Sequence, residues 1–294
     1  MYRWAALSSC LLLLILPCHA QQDRELIQIV ATVVDSEGRY ITTLRAEDFT
    51  VEIGGVRQPI SAFTQDFETP VSLGIVVDVS VSMKEAFPAT RQAASTFIRG
   101  MHPKDEFFLM TFAARTNLNQ DFTEDRSKLD GALDSVTRTR PGTHLFAAVE
   151  KAAARARMGK YKKRALVIIS DGGDISFTKF STFQSRLRSS EILMYALQMQ
   201  SAGSARVFGI LGPSAETRTA IMHSLSSETG GRWFAIDTRA PEEQLTRQFN
   251  EAFSTISSEL RSQYTIGIYP TKNFSSGKIR VRAVNPDYHV RTRE

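Results

Sequence analysis

The pattern of apolar and polar positions changes twice along the chain and divides it into three parts. Near the start, apolar and polar residues alternate as in half-buried strands, and Gly54-Gly55 gives a tight hairpin signal. Pro70 breaks regular structure just before a fully apolar strand, and alternating segments return after residue 260. The strands predicted in the two outer parts are Leu26–Val34, Asp48–Ile53, Val56–Phe63, Gln263–Tyr269 and Lys278–Val284. We expect the two ends to pair into one small antiparallel β unit.

Between these outer parts, apolar strands alternate with segments of helical spacing. The predicted strands are Leu73–Asp78, Phe107–Phe112, Ala165–Ser170, Ile192–Gln198 and Arg232–Ile236. The predicted helices are Met83–Gly100, Arg126–Val136, His144–Met158, Phe180–Ser189, Glu216–Thr229 and Glu242–Leu260. This alternation predicts an α/β fold, a doubly wound and mostly parallel sheet covered by helices on both faces.

Oxygen-bearing side chains follow the first strand of the central part. Asp78, Ser80 and Ser82 occupy every second position directly after an apolar run. In a doubly wound sheet, ligands bind beyond the carboxyl ends of the strands. One carboxylate and two hydroxyls do not complete the six-oxygen shell that a hard cation such as Mg²⁺ prefers. Further ligands are therefore expected from elsewhere in the chain.

Two later stretches supply candidates for these missing ligands. Thr143 lies in Pro-Gly-Thr-His just before a predicted helix, and Asp171 ends a second apolar strand in Ile-Ile-Ser-Asp-Gly-Gly. We expect Mg²⁺ at the site, with Mn²⁺ or Ca²⁺ as alternatives, because all the candidate ligands are oxygen atoms. The predicted metal ligands are Asp78, Ser80, Ser82, Thr143 and Asp171.

Several of these positions also have a purely structural interpretation. Ser82 opens a Ser-Met-Lys-Glu capping box, and Thr143 is placed to cap the helix expected near His144. Asp174 is interpreted as a turn residue. His144 is at most a rim residue, because imidazole suits softer metals than Mg²⁺. Metal ligation is favoured for Ser82 because Asp78 and Ser80 share its spacing, and for Thr143 because a full set of partners accompanies it.

The combination of Asp-x-Ser-x-Ser, a later Gly-Thr and a strand-terminal Ser-Asp-Gly resembles the metal-ion-dependent adhesion site of von Willebrand factor type A (VWA) domains. The resemblance implies a protein-interaction module in which an Asp or Glu of a partner protein completes the metal shell. The flanking Glu-Asp-Phe and Ser-Gln-Tyr-Thr-Ile-Gly-Ile-Tyr-Pro stretches resemble those of exported bacterial VWA-related proteins. The expected domains are an N-terminal β segment (21–68), a VWA domain (69–260) and a C-terminal β segment (261–294).

Residues 1–20 have the layout of a secretory signal peptide. Arg3 precedes the apolar run Ala5–Leu16, and Cys18-His19-Ala20 offers a cleavage site. The alternative, a membrane anchor, is disfavoured because the run is shorter than the ~20 residues of a spanning helix. Both cysteines, Cys10 and Cys18, lie in this segment, so the mature chain is expected to lack disulfides and thiolate sites. We expect a periplasmic or secreted protein without a transmembrane segment.

The remaining sequence features argue against nucleic-acid binding and catalysis. The net charge of +5 is mild, and the basic residues are scattered, as on solvated faces. Phosphate-binding glycine loops, the GxSxG elbow and HExxH are lacking. Phosphatase chemistry at Asp78 usually needs a second Asp two residues on, where Ser80 stands. The protein is predicted not to be an enzyme. A structural scaffold, or less favourably a Mg²⁺-dependent phosphohydrolase, remains as the alternative.

Overall fold

A computed structural model describes residues 26–65, 67, 69–136, 140–176, 178–190, 192–200, 206–207, 210–211, 213–271 and 277–292. The expected signal peptide lies outside these residues. The strands are β1 (Ile27–Val34), β2 (Phe49–Ile53), β3 (Val56–Gln58), β4 (Ile60–Gln65), β5 (Ser72–Asp78), β6 (Glu106–Phe112), β7 (Thr116–Thr123), β8 (Arg164–Ser170), β9 (Leu193–Gln200), β10 (Arg206–Val207), β11 (Ile210–Leu211), β12 (Trp233–Asp237), β13 (Gln263–Ile268), β14 (Ile279–Ala283) and β15 (His289–Thr292). The helices are α1 (Phe87–Gly100), α2 (Arg126–Ser135), α3 (Leu145–Ala156), α4 (Phe180–Arg188), α5 (Ala215–Ser227) and α6 (Glu242–Leu260).

The central sheet has six strands in the order β12-β9-β8-β5-β6-β7. All neighbouring pairs are parallel except β6 and β7, which run antiparallel. Strands β5 and β6 are buried along their whole length, as expected of a sheet covered on both faces. The predicted α/β fold class is therefore confirmed.

Two hydrophobic clusters, one on each face of this sheet, hold the helices in place. One cluster combines every second residue of β5 and β8 with residues of α1 and α6. The other combines the opposite residues of the same strands with α3, α4 and α5. Helix α6 shows why such helices form, because its apolar residues recur every three or four positions and are buried. These residues are Leu245, Phe249, Ala252, Phe253, Ile256 and Leu260.

The two outer parts of the chain form two antiparallel sheets, as the fold class anticipates. One sheet has the order β15-β1-β13-β4 and the other β14-β2-β3. Tyr264 of β13 is fully buried in the cluster that both sheets share. Its hydroxyl donates to the Ile41 carbonyl at 2.8 Å and accepts from the Leu44 N–H at 3.1 Å. The C-terminal strand β13 thus lies between two N-terminal strands. The domain boundaries themselves stay a prediction.

Three local predictions differ from the structure. The expected strand Val56–Phe63 is split into β3 and β4, which belong to different sheets, because Pro59 lacks the N–H that a continuous strand needs. Helix α1 begins at Phe87 rather than Met83, with Pro88 in its first turn, a position that favours proline. Strands β7 and β15 were not predicted, since both are rich in polar residues.

A buried carboxylate joins the β unit to the central domain. Glu259 of α6 is 1% exposed and accepts from Arg291 of β15 at 2.7 Å. Tyr40 after β1 and Tyr195 of β9 donate hydroxyl hydrogen bonds to it at 3.1 and 3.3 Å. Nε of Arg232 lies 3.4 Å from Oε2 of Glu259. Burial, reinforced by the Glu259 charge, raises the pKa of Tyr40 to about 12, so its hydroxyl remains a donor at neutral pH.

Replacing Arg291 tests this connection. We expect Arg291→Ala to lower the free energy of unfolding by about 2 kcal/mol, because it removes a cationic partner from a buried carboxylate. Arg282→Ala is the matched control, since Arg282 pairs with Glu52 at an exposed edge and its loss should be below about 1 kcal/mol. Urea denaturation of both variants gives the comparison, and equal losses would contradict the inferred role of Glu259.

Candidate metal centre

Asp78 is the most buried of the predicted ligands. It ends β5 and has no exposed surface. Its Oδ2 accepts from the Ser170 hydroxyl at 2.6 Å, and its Oδ1 accepts from the Ser80 N–H at 2.8 Å. The first contact arises because β5 and β8 are neighbouring parallel strands whose carboxyl ends meet at one edge of the sheet. The carboxylate is thus fixed at this edge by both strands.

Ser80 directly precedes a short 3-10 turn, Val81–Met83, and Ser82 lies within it. Their hydroxyl oxygens lie 3.0 Å apart, so the two side chains face the same small region. The capping-box interpretation of Ser82 is wrong for α1, because that helix begins at Phe87 and its N-cap residue is Ala86. Ser82 is therefore not needed to start the helix.

Thr143 lies in a loop whose backbone is hydrogen-bonded to the loop after β5 and to the loop after β8. The Arg140 N–H donates to the Val79 carbonyl at 2.8 Å, and the Ile175 N–H donates to the Thr143 carbonyl at 2.9 Å. Gly142 has a φ of 81°, and a Cβ there would lie 2.9 Å from the Ala114 Cβ, so glycine is required before Thr143.

The Thr143 side chain does not cap α3. The N-cap residue is the half-buried His144, without a side-chain cap hydrogen bond. Thr143 is 9% exposed, and among the described residues no group bonds to its hydroxyl. Asp174 does more than form a turn: it accepts from the Phe146 N–H of α3 at 3.1 Å as well as from Ser176. A polar side chain from a distant loop thus satisfies the helix start.

Asp171 follows β8 and is 5% exposed. Its Oδ1 accepts from the Gly173 N–H at 2.9 Å, and its Oδ2 accepts from Nη1 of Arg218 at 3.0 Å. Gly172 has a φ of 83°, and a Cβ there would come within 2.8 Å of the Arg218 carbonyl oxygen. The loop after β8 therefore packs directly on α5.

Ser170 and Arg218 are polar partners that the sequence prediction did not include. Ser170 is fully buried and directly precedes Asp171 in the Ser-Asp-Gly motif. Its position at the end of β8 is a local sign that its hydroxyl lies near the site. Arg218 is 8% exposed and lies 47 residues after its carboxylate partner. No local spacing could have placed it here.

The two carboxylates of the site influence each other. Burial, followed by the negative charge of Asp171, raises the pKa of Asp78, and hydrogen bonds from Ser170 and Ser80 oppose that shift. A carboxylate in such surroundings is stabilised by a proton or by a nearby cation. Arg218 supplies one positive charge on the side of Asp171.

The chemistry of these donors fits a hard divalent cation. The two carboxylates and three hydroxyls lie at the carboxyl ends of β5 and β8 or in loops hydrogen-bonded to that edge, and all would offer oxygen atoms to a cation. In the described part of the chain, no three residues among His, Cys, Asp and Glu are grouped to hold a metal. The oxygen set around Asp78 therefore differs in kind from the nitrogen and sulfur sites typical of structural zinc.

Comparison with known families agrees with this fold. The model of the von Willebrand factor type A domain matches residues 73–173, a range that includes all five candidate ligands. Over these residues the chain is similar to von Willebrand factor type A domains. Comparison with curated protein sequences gave no match.

Solved structures of such domains resemble the chain at low identity. A von Willebrand factor type A protein from Catenulispora acidiphila is 16% identical with a TM-score of 0.51, over 71% of this chain and 50% of that one. The corresponding domain of the type V pili tip protein Mfa5 from Porphyromonas gingivalis is 11% identical with a TM-score of 0.51, over 65% and 96%. Proximal thread matrix protein 1 from the mussel byssus, with a zinc-occupied MIDAS motif, is 12% identical with a TM-score of 0.49, over 74% and 50%. The two likenesses with a TM-score of 0.51 show the fold alone.

Replacing Asp78 by Asn tests the electrostatic strain at the site. Because its pKa is raised in the folded state, Asp78 favours folding below the ordinary carboxyl pKa of about 4, and this contribution is lost as pH rises through the raised value. In chelator-treated protein at pH 8, we expect Asp78→Asn to be more stable than the wild type by about 1–3 kcal/mol.

Thermal unfolding of both proteins between pH 5 and about pH 8 measures this difference. The advantage of Asp78→Asn should shrink towards acidic pH. A variant that is less stable at every pH would show that the charge of Asp78 is well compensated without metal.

Proposed function

We propose that this protein binds a divalent cation through Asp78, Ser80, Ser82, Thr143 and Asp171, and through it the acidic side chain of a protein partner. The observation that carries the proposal is the burial of two carboxylates at the ends of neighbouring strands, next to hydroxyls with few other partners. Mg²⁺ is the proposed ion, and Mn²⁺ or Ca²⁺ are the alternatives.

Each residue has a distinct role in this proposal. Asp78 supplies a negative charge from a position fixed by Ser170 and the Ser80 backbone. Ser80 and Ser82 present their hydroxyl oxygens as neutral ligands, and Thr143 presents a third from the opposite loop. Asp171, held by Arg218, supplies the second charge. A bound divalent cation would offer an open coordination position to an anionic oxygen.

The surface around this edge suits a protein ligand. Val81 and Ile175 are large apolar residues beside the candidate ligands, and they are 36% and 43% exposed. Ile175 adjoins Thr143 through its backbone hydrogen bond. Exposed apolar groups beside a charged centre are common in protein interfaces. An acidic side chain with an apolar neighbour therefore fits this surface.

Catalysis is the less favoured alternative. Ser80, whose hydroxyl lies 3.0 Å from that of Ser82, stands where a phosphatase would need an acid-base carboxylate. A scaffold role, in which metal only stabilises the loops, would leave the affinity for the ion independent of acidic ligands. Measuring the affinity for the ion with and without an acidic ligand therefore separates the scaffold role from the proposed function.

We propose further that the protein is exported and works in the periplasm or outside the cell, with the segment 1–20 removed. The support is the signal-peptide layout of that segment. Within the described residues, none of the helices combines the length and apolar character needed to span a membrane. The proposed units are 21–68 and 261–294 as β segments around a VWA domain at 69–260.

Calorimetric titration tests the proposed function. Mg²⁺ or Mn²⁺ added to chelator-treated protein should bind at one site, and Asp78→Ala should abolish this binding because the buried carboxylate is its principal anionic ligand. Thr143→Ala should weaken binding on the order of tenfold, or about 1.4 kcal/mol, through loss of one neutral ligand. A peptide bearing a glutamate should raise the apparent affinity for the ion.

Asp134→Ala is the matched control, because it removes an exposed carboxylate that pairs with Arg91 and is not one of the candidate ligands. It should bind metal like the wild type. Wild-type protein that binds neither ion would contradict the proposal, and metal binding that the acidic peptide does not change would favour the scaffold role.

A further inference from the structure

Arg218 places a positive charge inside the candidate metal centre. Its Nη1 lies 3.0 Å from Oδ2 of Asp171, and only about a tenth of its side chain is exposed. The guanidinium is a permanent cation at physiological pH. A cation this close to a metal ligand opposes the binding of a second cation, so its presence in a metal site requires an explanation.

The position of Arg218 is fixed from several directions. Its Nε donates to the Pro213 carbonyl at 3.1 Å, and its own carbonyl oxygen abuts Gly172 in the loop after β8. It lies in the first turn of α5, a helix whose N-terminus also favours negative charge. The guanidinium is therefore held beside Asp171 by its helix and by the loop, rather than by the carboxylate alone.

The charges of the site follow from these contacts. Two carboxylates and one guanidinium leave one net negative charge among Asp78, Asp171 and Arg218. A divalent cation would turn this into one net positive charge, which a single carboxylate neutralises. Without Arg218 the cation and the two carboxylates would already balance, and an incoming carboxylate would leave the site negative.

We propose that Arg218 is a built-in counter-charge that weakens binding of the cation and strengthens binding of a carboxylate to the cation-loaded site. This inference rests on the proposed function. It assigns to Arg218 a positioning role for Asp171 and a specificity role for an acidic partner. It also predicts opposite changes in two affinities, because the charge repels one ligand and attracts the other.

The experiment measures both affinities in Arg218→Gln. Mn²⁺ is titrated into chelator-treated protein by calorimetry, and acetate is then titrated into protein saturated with Mn²⁺. We expect Arg218→Gln to bind Mn²⁺ tighter, on the order of tenfold, and to bind acetate weaker by a similar factor. Arg218→Lys keeps the positive charge, so its affinities for Mn²⁺ and for acetate should stay close to those of the wild type.

Arg186→Gln is the matched control, because it removes an arginine that pairs with Glu150 on the exposed face of α4. It should change neither affinity. If Arg218→Gln does not fold, as judged by circular dichroism, Arg218→Met makes the same test while keeping the apolar stem of the side chain.

The outcomes separate this inference from the proposed function. Tighter Mn²⁺ binding together with weaker acetate binding supports the counter-charge. A loss of both affinities would show that Arg218 only maintains the loop, and unchanged affinities would show that its charge does not reach the site; either overturns the inference. Failure of the wild-type protein to bind Mn²⁺ would instead overturn the proposed function on which the inference rests.

Discussion

Two carboxylates buried beside each other at the carboxyl edge of a parallel sheet are the constraint around which this molecule is arranged. Because β5 and β8 are neighbours, Asp78 and Asp171 are brought to one edge, where neither is more than 5% exposed. Two buried negative charges are unfavourable unless other groups compensate them. The Ser170 hydroxyl, backbone N–H groups and Arg218 provide this compensation. The loops at the edge are shaped by these contacts.

A second buried carboxylate connects the two parts of the fold. Glu259 lies in the last turn of α6, while its partners Tyr40 and Arg291 belong to the β unit. The helix packs along the central sheet through its apolar stripe, so its last turn is held from both sides. A change in the position of α6 would therefore have to break a buried ion pair or move the β unit with it. The β unit acts as a fixed support for the end of this helix.

Much of the fold was predictable because its elements follow simple patterns. The buried strands around Asp78 and Asp171 and the amphipathic α6 were placed to within a few residues. The edge strand β7 was missed, since a half-exposed edge does not require apolar alternation. The split at Pro59 is encoded locally, because proline has no N–H to donate to a continuous strand ladder. The roles of Arg218 and Glu259 depend on contacts between residues far apart in the chain, which no local pattern encodes.

The choice of hydroxyls over carboxylates explains what kind of chemistry this edge supports. A carboxylate at the position of Ser80 would add a third negative charge beside Asp78 and would offer a proton donor and acceptor. The hydroxyl adds an oxygen donor without either property. Arg218 shifts the balance further, because it offsets one of the two remaining negative charges. The net charge of Asp78, Asp171 and Arg218 is therefore less negative than a divalent ion would need for neutrality, and this is the charge balance on which the proposed binding of an acidic side chain depends.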